Sequence, residues 1–303
     1  MTPVALIGPT ASGKSQLAMA VARARPDVEI VTIDAMQVYR GMDIGTAKPT
    51  RAEQAEVQHH LIDVASPSED YGLARWQHDA RATLADIERR GARALLVGGT
   101  GLYLRALVDD LDIPGQFPGT RAELDAEDDT YALFDRLRAL DPLAASRMEP
   151  TNRRRVVRAL EVTLGSGRPF SSYGPGLDSY GATAKVHQVG LRLPRPVLDE
   201  RIDVRYDAQM TAGFLAEVQR LFAAPGGFSQ GAGQALGYKE IAAHLRGECT
   251  LDDALTLARQ RTRKFARRQE RWFRRDPRVV WFDSTGNSLQ VLDQLLGEWD
   301  RCF

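Results

Sequence analysis

The chain is 303 residues long, enough for one large domain or two modest ones. Forty Lys+Arg offset 40 Asp+Glu, so no global field draws it to nucleic acid. Two distant cysteines, Cys249 and Cys302, exclude a disulfide framework and a Cys-rich zinc site. With 43% hydrophobic and 26% charged residues the composition is that of a globular protein. No apolar run approaches the roughly 20 residues that cross a bilayer, and no basic-then-apolar leader opens the chain. The expectation is a cytoplasmic protein without membrane contact.

The chain opens on an apolar run, Val4-Ala5-Leu6-Ile7, followed by Gly8-Pro9-Thr10-Ala11-Ser12-Gly13-Lys14-Ser15 and a helix-like stretch, residues 16–22. Strand, glycine-rich turn and helix is the context of a phosphate-binding loop. Its glycines allow successive N–H groups to face one anion, and the new helix adds its positive dipole end. Lys14 supplies a point charge, and the Ser15 hydroxyl is the expected Mg2+ ligand. A second strand, residues 29–33, ends at Asp34. Ligands of open parallel sheets sit beyond the carboxyl ends of strands, so Asp34 is expected on the edge that carries the loop. Residues 35–49 read as a long functional loop. Adjacent His59 and His60 point to opposite faces of a short strand and are read as structural.

Residues 71–90 read as a helix, and Ala94-Leu95-Leu96-Val97 as a third strand running into Gly98-Gly99-Thr100-Gly101. That turn brings Thr100 to the same edge. Prolines and glycines then punctuate 112–120, an acidic helical stretch follows, and a basic helix begins at Asn152. We read 111–184 as a helical insertion in an α/β core made of 1–110 and 185–303. The sheet pattern resumes at Lys185, with helices expected over 195–221 and 251–275, a shorter one opening at 237–240, and a closing strand at 279–282. On the last long helix Leu255, Ala258, Thr262, Phe265, Gln269 and Trp272 form an inward stripe. Arg263, Arg267, Arg271 and Arg274 lie off it, suggesting a polyanion track.

Several of these stretches resemble the tRNA dimethylallyltransferases (tRNA isopentenyltransferases). They are the loop at 8–15, the run Asp34-Ala35-Met36-Gln37-Val38-Tyr39-Arg40-Gly41-Met42-Asp43-Ile44-Gly45-Thr46-Ala47-Lys48-Pro49, and His59-His60-Leu61-Ile62-Asp63. Val97-Gly98-Gly99-Thr100-Gly101-Leu102-Tyr103, the helix 155–162, Gln234-Ala235-Leu236-Gly237-Tyr238-Lys239-Glu240 and the late Arg267-Arg268-Gln269 with Trp272-Phe273-Arg274 match too.

The resemblance implies a P-loop NTPase-like parallel sheet flanked by helices, with the helical insertion. It implies transfer of a dimethylallyl group from dimethylallyl diphosphate to N6 of the adenine 3′ of the anticodon, in tRNAs reading codons that begin with U. Asp34, Thr100 and Lys14 would carry the chemistry, Gly8, Pro9, Thr10, Ala11, Ser12, Gly13, Lys14 and Ser15 the diphosphate, and Ser15 the Mg2+. The tRNA anticodon stem-loop would meet Asp34, Ala35, Met36, Gln37, Thr100, Arg121, Arg154, Arg155, Val156, Val157 and Arg158. Without the resemblance, a small-molecule P-loop kinase and a non-catalytic RNA-binding protein stay open. With no obvious pairing helix, a monomer is expected.

Overall fold

The structure is a computed structural model that describes residues 2–177, 179–181 and 186–302. The expected strand start at Lys185 and the expected insertion end at 184 lie outside these residues. The chain divides into two compact units. The first comprises the described residues within Met1–Val108 and Ala182–Phe303, and the second is Asp109–Gly181.

The first unit starts with β1 (Val4–Ile7), α1 (Lys14–Ala24), β2 (Val28–Ile33), α2 (Arg51–Glu56) and β3 (His59–His60). It continues with α3 (Leu73–Arg89), β4 (Arg93–Gly98) and α4 (Gly101–Val108). The strands form one six-stranded parallel sheet in the order β3-β2-β4-β1-β5-β6, completed by β5 (His187–Arg192) and β6 (Val279–Asp283). The central strands are buried on both faces, which is why they read as continuous apolar runs. Ala5, Ile7, Val31, Ile33 and Leu96 belong to one core layer, and Val4, Leu6, Ile30, Leu95 and Val97 to the other. Alternation along a strand puts them there.

After β5 come α9 (Arg195–Thr211), α10 (Phe214–Phe222), α11 (Tyr238–Leu245) and α12 (Leu251–Phe273). The chain's last long element is α13 (Leu292–Cys302). The single helix expected over 195–221 is broken at Gly213, whose φ of 98° no continuous helix accommodates. Nothing in the sequence reading marked α13, whose fully buried Trp299 closes the second core layer.

Register decides where the loops emerge. Ile7 and Ile33 both pair with Gly98, so β1, β2 and β4 end level and release their loops at one edge. That edge carries residues 8–13, Asp34 and Thr100.

The second unit holds α5 (Pro118–Asp125), α6 (Thr130–Leu140), α7 (Pro142–Ser146) and α8 (Arg153–Ser166) around Leu124, Leu133, Leu137, Val156, Val157 and Leu160. Asp129, Asp141 and Asn152 cap three of these helices by accepting backbone N–H groups. Arg153 donates to the carbonyls of Leu124 (3.4 Å) and Asp125 (3.2 Å) at the end of α5.

Candidate active site

The loop between β1 and α1 takes left-handed backbone at Ala11 and Gly13. Gly13 sits at φ 91°, a left-handed geometry that favours glycine, and a Cβ there would lie 2.6 Å from Ser288 Oγ. Ala11 is held at φ 63°. The first N–H groups of α1 have no intrahelical partner and face outward from the helix start. The Lys14 ammonium donates to the Pro9 carbonyl at 2.6 Å and reaches Ser12 Oγ at 3.4 Å, which places it over its own loop. Burial lowers the Lys14 pKa to about 7, with Arg205 pushing the same way and Asp34 opposing. An anion at this loop is thus met by a cation poorly solvated by water. Ser15, exposed at the helix start, offers one hard oxygen. Mg2+ takes oxygen ligands, retains waters and is bound largely through substrate phosphates, so a lone hydroxyl fits it. Among the described residues no group of three His, Cys, Asp or Glu gathers to hold a metal by itself.

Asp34 ends β2. Its Oδ1 accepts the N–H groups of Met36 (2.8 Å) and Gln37 (3.3 Å), which locks the carboxyl, and its Oδ2 makes no hydrogen bond among the described residues. Burial raises the Asp34 pKa, against the lowering pull of those two N–H groups, Lys14 and Arg205. Thr100 Oγ1 accepts the Ala35 N–H at 3.3 Å. With that lone pair engaged, the hydroxyl hydrogen remains to donate elsewhere. Cradle, carboxylate and hydroxyl donor therefore share one edge.

Three side chains that motif reading did not assign to the site converge on the same loops. Arg205 donates to Thr10 Oγ1 at 2.8 Å, and its Nε is buried without a hydrogen-bond partner among the described residues. Burial lowers its pKa, while Tyr206 and Asp34 raise it. One turn earlier on α9, Arg201 donates to the Ala11 carbonyl at 3.3 Å. Gln269 of α12 accepts the Thr10 N–H and donates to the Gly99 carbonyl, each at 2.8 Å. The only sequence signals were the spacing of Arg201 and Arg205 on one helix face and the inward position of a polar Gln269. Neither reveals partners 170 to 259 residues away.

The loop after Asp34 is organised by side chains more than 160 residues further along the chain. Glu217 of α10 accepts the N–H groups of Asp43 (3.0 Å), Ile44 (2.9 Å) and Gly45 (3.2 Å) and the Tyr238 hydroxyl (2.5 Å). Gln209 donates to the Ile44 carbonyl at 2.6 Å, and Gln37 donates to the carbonyls of Thr46 and Ala47. Lys48, buried, bridges Asp43 (2.6 Å) and Asp63 (2.5 Å). His60 pairs with Glu29 at 2.5 Å and His59 with the Val57 carbonyl, both distant from the cradle loop in sequence and sheet position.

In the second unit, Arg154 and Arg155 are exposed and make no ion pair among the described residues. Val156 and Val157 are completely buried, so their side chains are core and not surface. Arg121 and Arg158 both turn to the buried Glu161, at 3.7 and 2.8 Å, and Arg158 also donates to the Pro114 carbonyl. On α12 the expected basic track is narrower than its arginine count. Arg259 pairs with Asp207, Arg261 with Glu240, Arg263 with Asp203 and Arg274 with Glu270. Lys264, Arg267, Arg268 and Arg271 carry no ion pair among the described residues.

The model of the family "IPP transferase" matches residues 37–276. A tRNA dimethylallyltransferase of Bifidobacterium adolescentis is 43% identical, covering 98% of this chain and 90% of that relative. One from Kineococcus radiotolerans is 48% identical over 94% and 92%. Among solved structures, the full-length tRNA isopentenylpyrophosphate transferase from Bacillus halodurans superposes with a TM-score of 0.71 at 36% identity, covering 100% of this chain and 98% of that one. A eukaryotic dimethylallyltransferase acting on tRNA gives 0.78 at 26% identity, over 98% and 77%.

Proposed function

The chain belongs to the IPP transferase family, and from that premise we propose that it is a tRNA dimethylallyltransferase. It moves a dimethylallyl group from dimethylallyl diphosphate to N6 of the adenine 3′ of the anticodon, in tRNAs reading codons that begin with U, and releases diphosphate. The observation that carries the reading is the shared edge of the cradle, Asp34 and Thr100. The near-full-length relatives do not favour a small-molecule kinase.

The chemistry follows from the charges. As the allylic C–O bond breaks, negative charge grows on the diphosphate and positive charge spreads over the prenyl group. The loop amides, Lys14, Arg205 and the Thr100 hydroxyl are groups suited to stabilise the departing anion. Mg2+, held by Ser15 and the diphosphate, would add further charge neutralisation. The exocyclic amine attacks the freed carbon, and its proton passes to Asp34 Oδ2, the oxygen that the backbone leaves unengaged. The raised pKa of Asp34 makes it a stronger base than an exposed aspartate. The adenine must unstack to reach this edge, at a cost of a few kcal/mol. Loop residues 35–37 and the exposed Arg154 and Arg155 are the groups we assign to the anticodon loop, whose single-stranded bases offer faces and edges to contact.

The test is mass spectrometry of nucleosides from an unmodified tRNA with adenine 3′ of the anticodon, after incubation with the protein, dimethylallyl diphosphate and Mg2+. A prenyl mass on adenosine is expected. Folded protein that yields no such product, yet phosphorylates a small acceptor from ATP, would overturn the proposal.

A further inference from the structure

Gln269 occupies a position that neither the phosphate loop nor the base accounts for. It lies on the inward face of α12, almost wholly buried, and ties together two loops separated by about ninety residues of sequence. Its Oε1 accepts from Thr10, inside the cradle. Its Nε2 donates to Gly99, the residue before Thr100. The two partners fix the amide's orientation, since an N–H must face oxygen and a carbonyl must face nitrogen. A glutamate cannot donate and a lysine cannot accept, so among long polar side chains glutamine is the one that serves both. Gly99 is shaped around it: a Cβ there would stand 2.3 Å from Gln269 Nε2. Thr100 in turn holds Ala35, next to Asp34.

We infer that Gln269 is a positioning residue that sets the cradle and the Thr100 hydroxyl at one fixed separation, so that both reach the same diphosphate. It touches neither the substrate nor the reacting atoms. The inference rests on the proposed use of the cradle for diphosphate and deepens it. Because Gln269 consumes the Thr10 N–H, the anion is left to the remaining loop amides and those at the start of α1. A misplacement of about 1 Å between such groups is enough to cost on the order of a hundredfold in rate.

The experiment measures binding of inorganic pyrophosphate with Mg2+ by calorimetry to the wild type, Gln269→Met and Gln269→Glu, alongside thermal unfolding and steady-state kinetics. Methionine keeps the volume and removes both hydrogen bonds. Glutamate keeps the acceptor for Thr10 but sets a carboxylate against the Gly99 carbonyl and near the cradle. The expected result is pyrophosphate affinity weakened about tenfold or more in Q269M and further in Q269E, with KM for dimethylallyl diphosphate raised and KM for tRNA unchanged. A merely structural role would lower the unfolding temperature and leave the affinity and the ratio of the two KM values alone. Either folded variant binding pyrophosphate within about twofold of wild type, RT ln 2 being well under 1 kcal/mol, overturns the inference and leaves the family reading intact. A wild type that prenylates tRNA but does not bind pyrophosphate removes the assigned role of the cradle, and Gln269's with it. If Q269M does not fold, Gln269→Leu, which also removes both hydrogen bonds and adds no charge, decides the matter.

Discussion

Asp34 divides its two oxygens between jobs. Oδ1 is taken by the Met36 and Gln37 N–H groups, so the carboxyl is held in one rotamer while Oδ2 stays available. Asp34→Asn preserves the acceptor and deletes the base. We expect kcat to fall about 10²- to 10⁴-fold, the range for a lost general base, with tRNA affinity unchanged in a filter-binding assay; normal turnover would remove Asp34 as the base. Lys14 makes the second residue-scale prediction. Burial disfavours its charged form, so above its pKa of about 7 the free protein holds it largely neutral. A bound polyanion favours the ammonium. Pyrophosphate binding at pH 8 should therefore take up to about one proton more in the wild type than in Lys14→Arg, whose guanidinium stays charged. At pH 6, where Lys14 is already charged, the two should agree. Calorimetry in buffers of different ionisation enthalpy measures this, and equal uptake at pH 8 would contradict it.

At the scale of elements, the loop after Asp34 is not self-supporting. Its Asp43–Gly45 turn has three N–H groups aimed at one carboxylate from α10, which exists as a separate helix because Gly213 interrupts α9 and redirects the chain. Glu217→Ala would leave three buried or half-buried N–H groups and the Tyr238 hydroxyl unpaired. At about 1–3 kcal/mol for each unsatisfied group, with partial rescue by water, a loss of roughly 3 kcal/mol or more is expected in urea unfolding. The same variant should weaken tRNA binding more than pyrophosphate binding, because the cradle lies on the other side of Asp34 in the chain. Unchanged stability would show that this carboxylate does not support the loop. The basic helix α12 illustrates the converse. Periodicity separated its apolar stripe from its charges, but four of those arginines are spent on Asp207, Glu240, Asp203 and Glu270.

For the whole molecule, zero net charge means that any attraction to tRNA comes from local clusters. The cations without ion pairs on α12 and the exposed Arg154 and Arg155 on α8 are the candidates. Each phosphate contact to a single strand contributes about 0.7 to the slope of log affinity against log salt. Replacing Arg268 and Arg271 together by alanine should flatten the slope by about 1 to 1.5, whereas Arg259→Ala, already paired, should leave it nearly unchanged. Equal effects from both variants would sink the distinction between paired and unpaired arginines. No described helix is long and apolar enough to cross a membrane.

Local chemistry was enough to read the glycine-rich turn between the first strand and helix, the three strands that end beside it, the inward stripe of α12 and the edge that Asp34 and Thr100 share. Each of these is written in spacing over a few residues, where backbone geometry and burial period act directly. Arg205, Arg201, Gln269 and Glu217 were illegible for the opposite reason. Their partners lie far along the chain, and a hydrogen bond depends on distance in space, which sequence separation does not encode. The buried Val156 and Val157 carry the same lesson, since the α8 motif placed them beside arginines while packing against α5 and α6 turned them inward. The sequence by itself determined the parallel sheet, the glycine turn that opens its first helix and the family resemblance. Only the tertiary structure decided which polar side chains brace the cradle, and which of the arginines keep their charge unpaired.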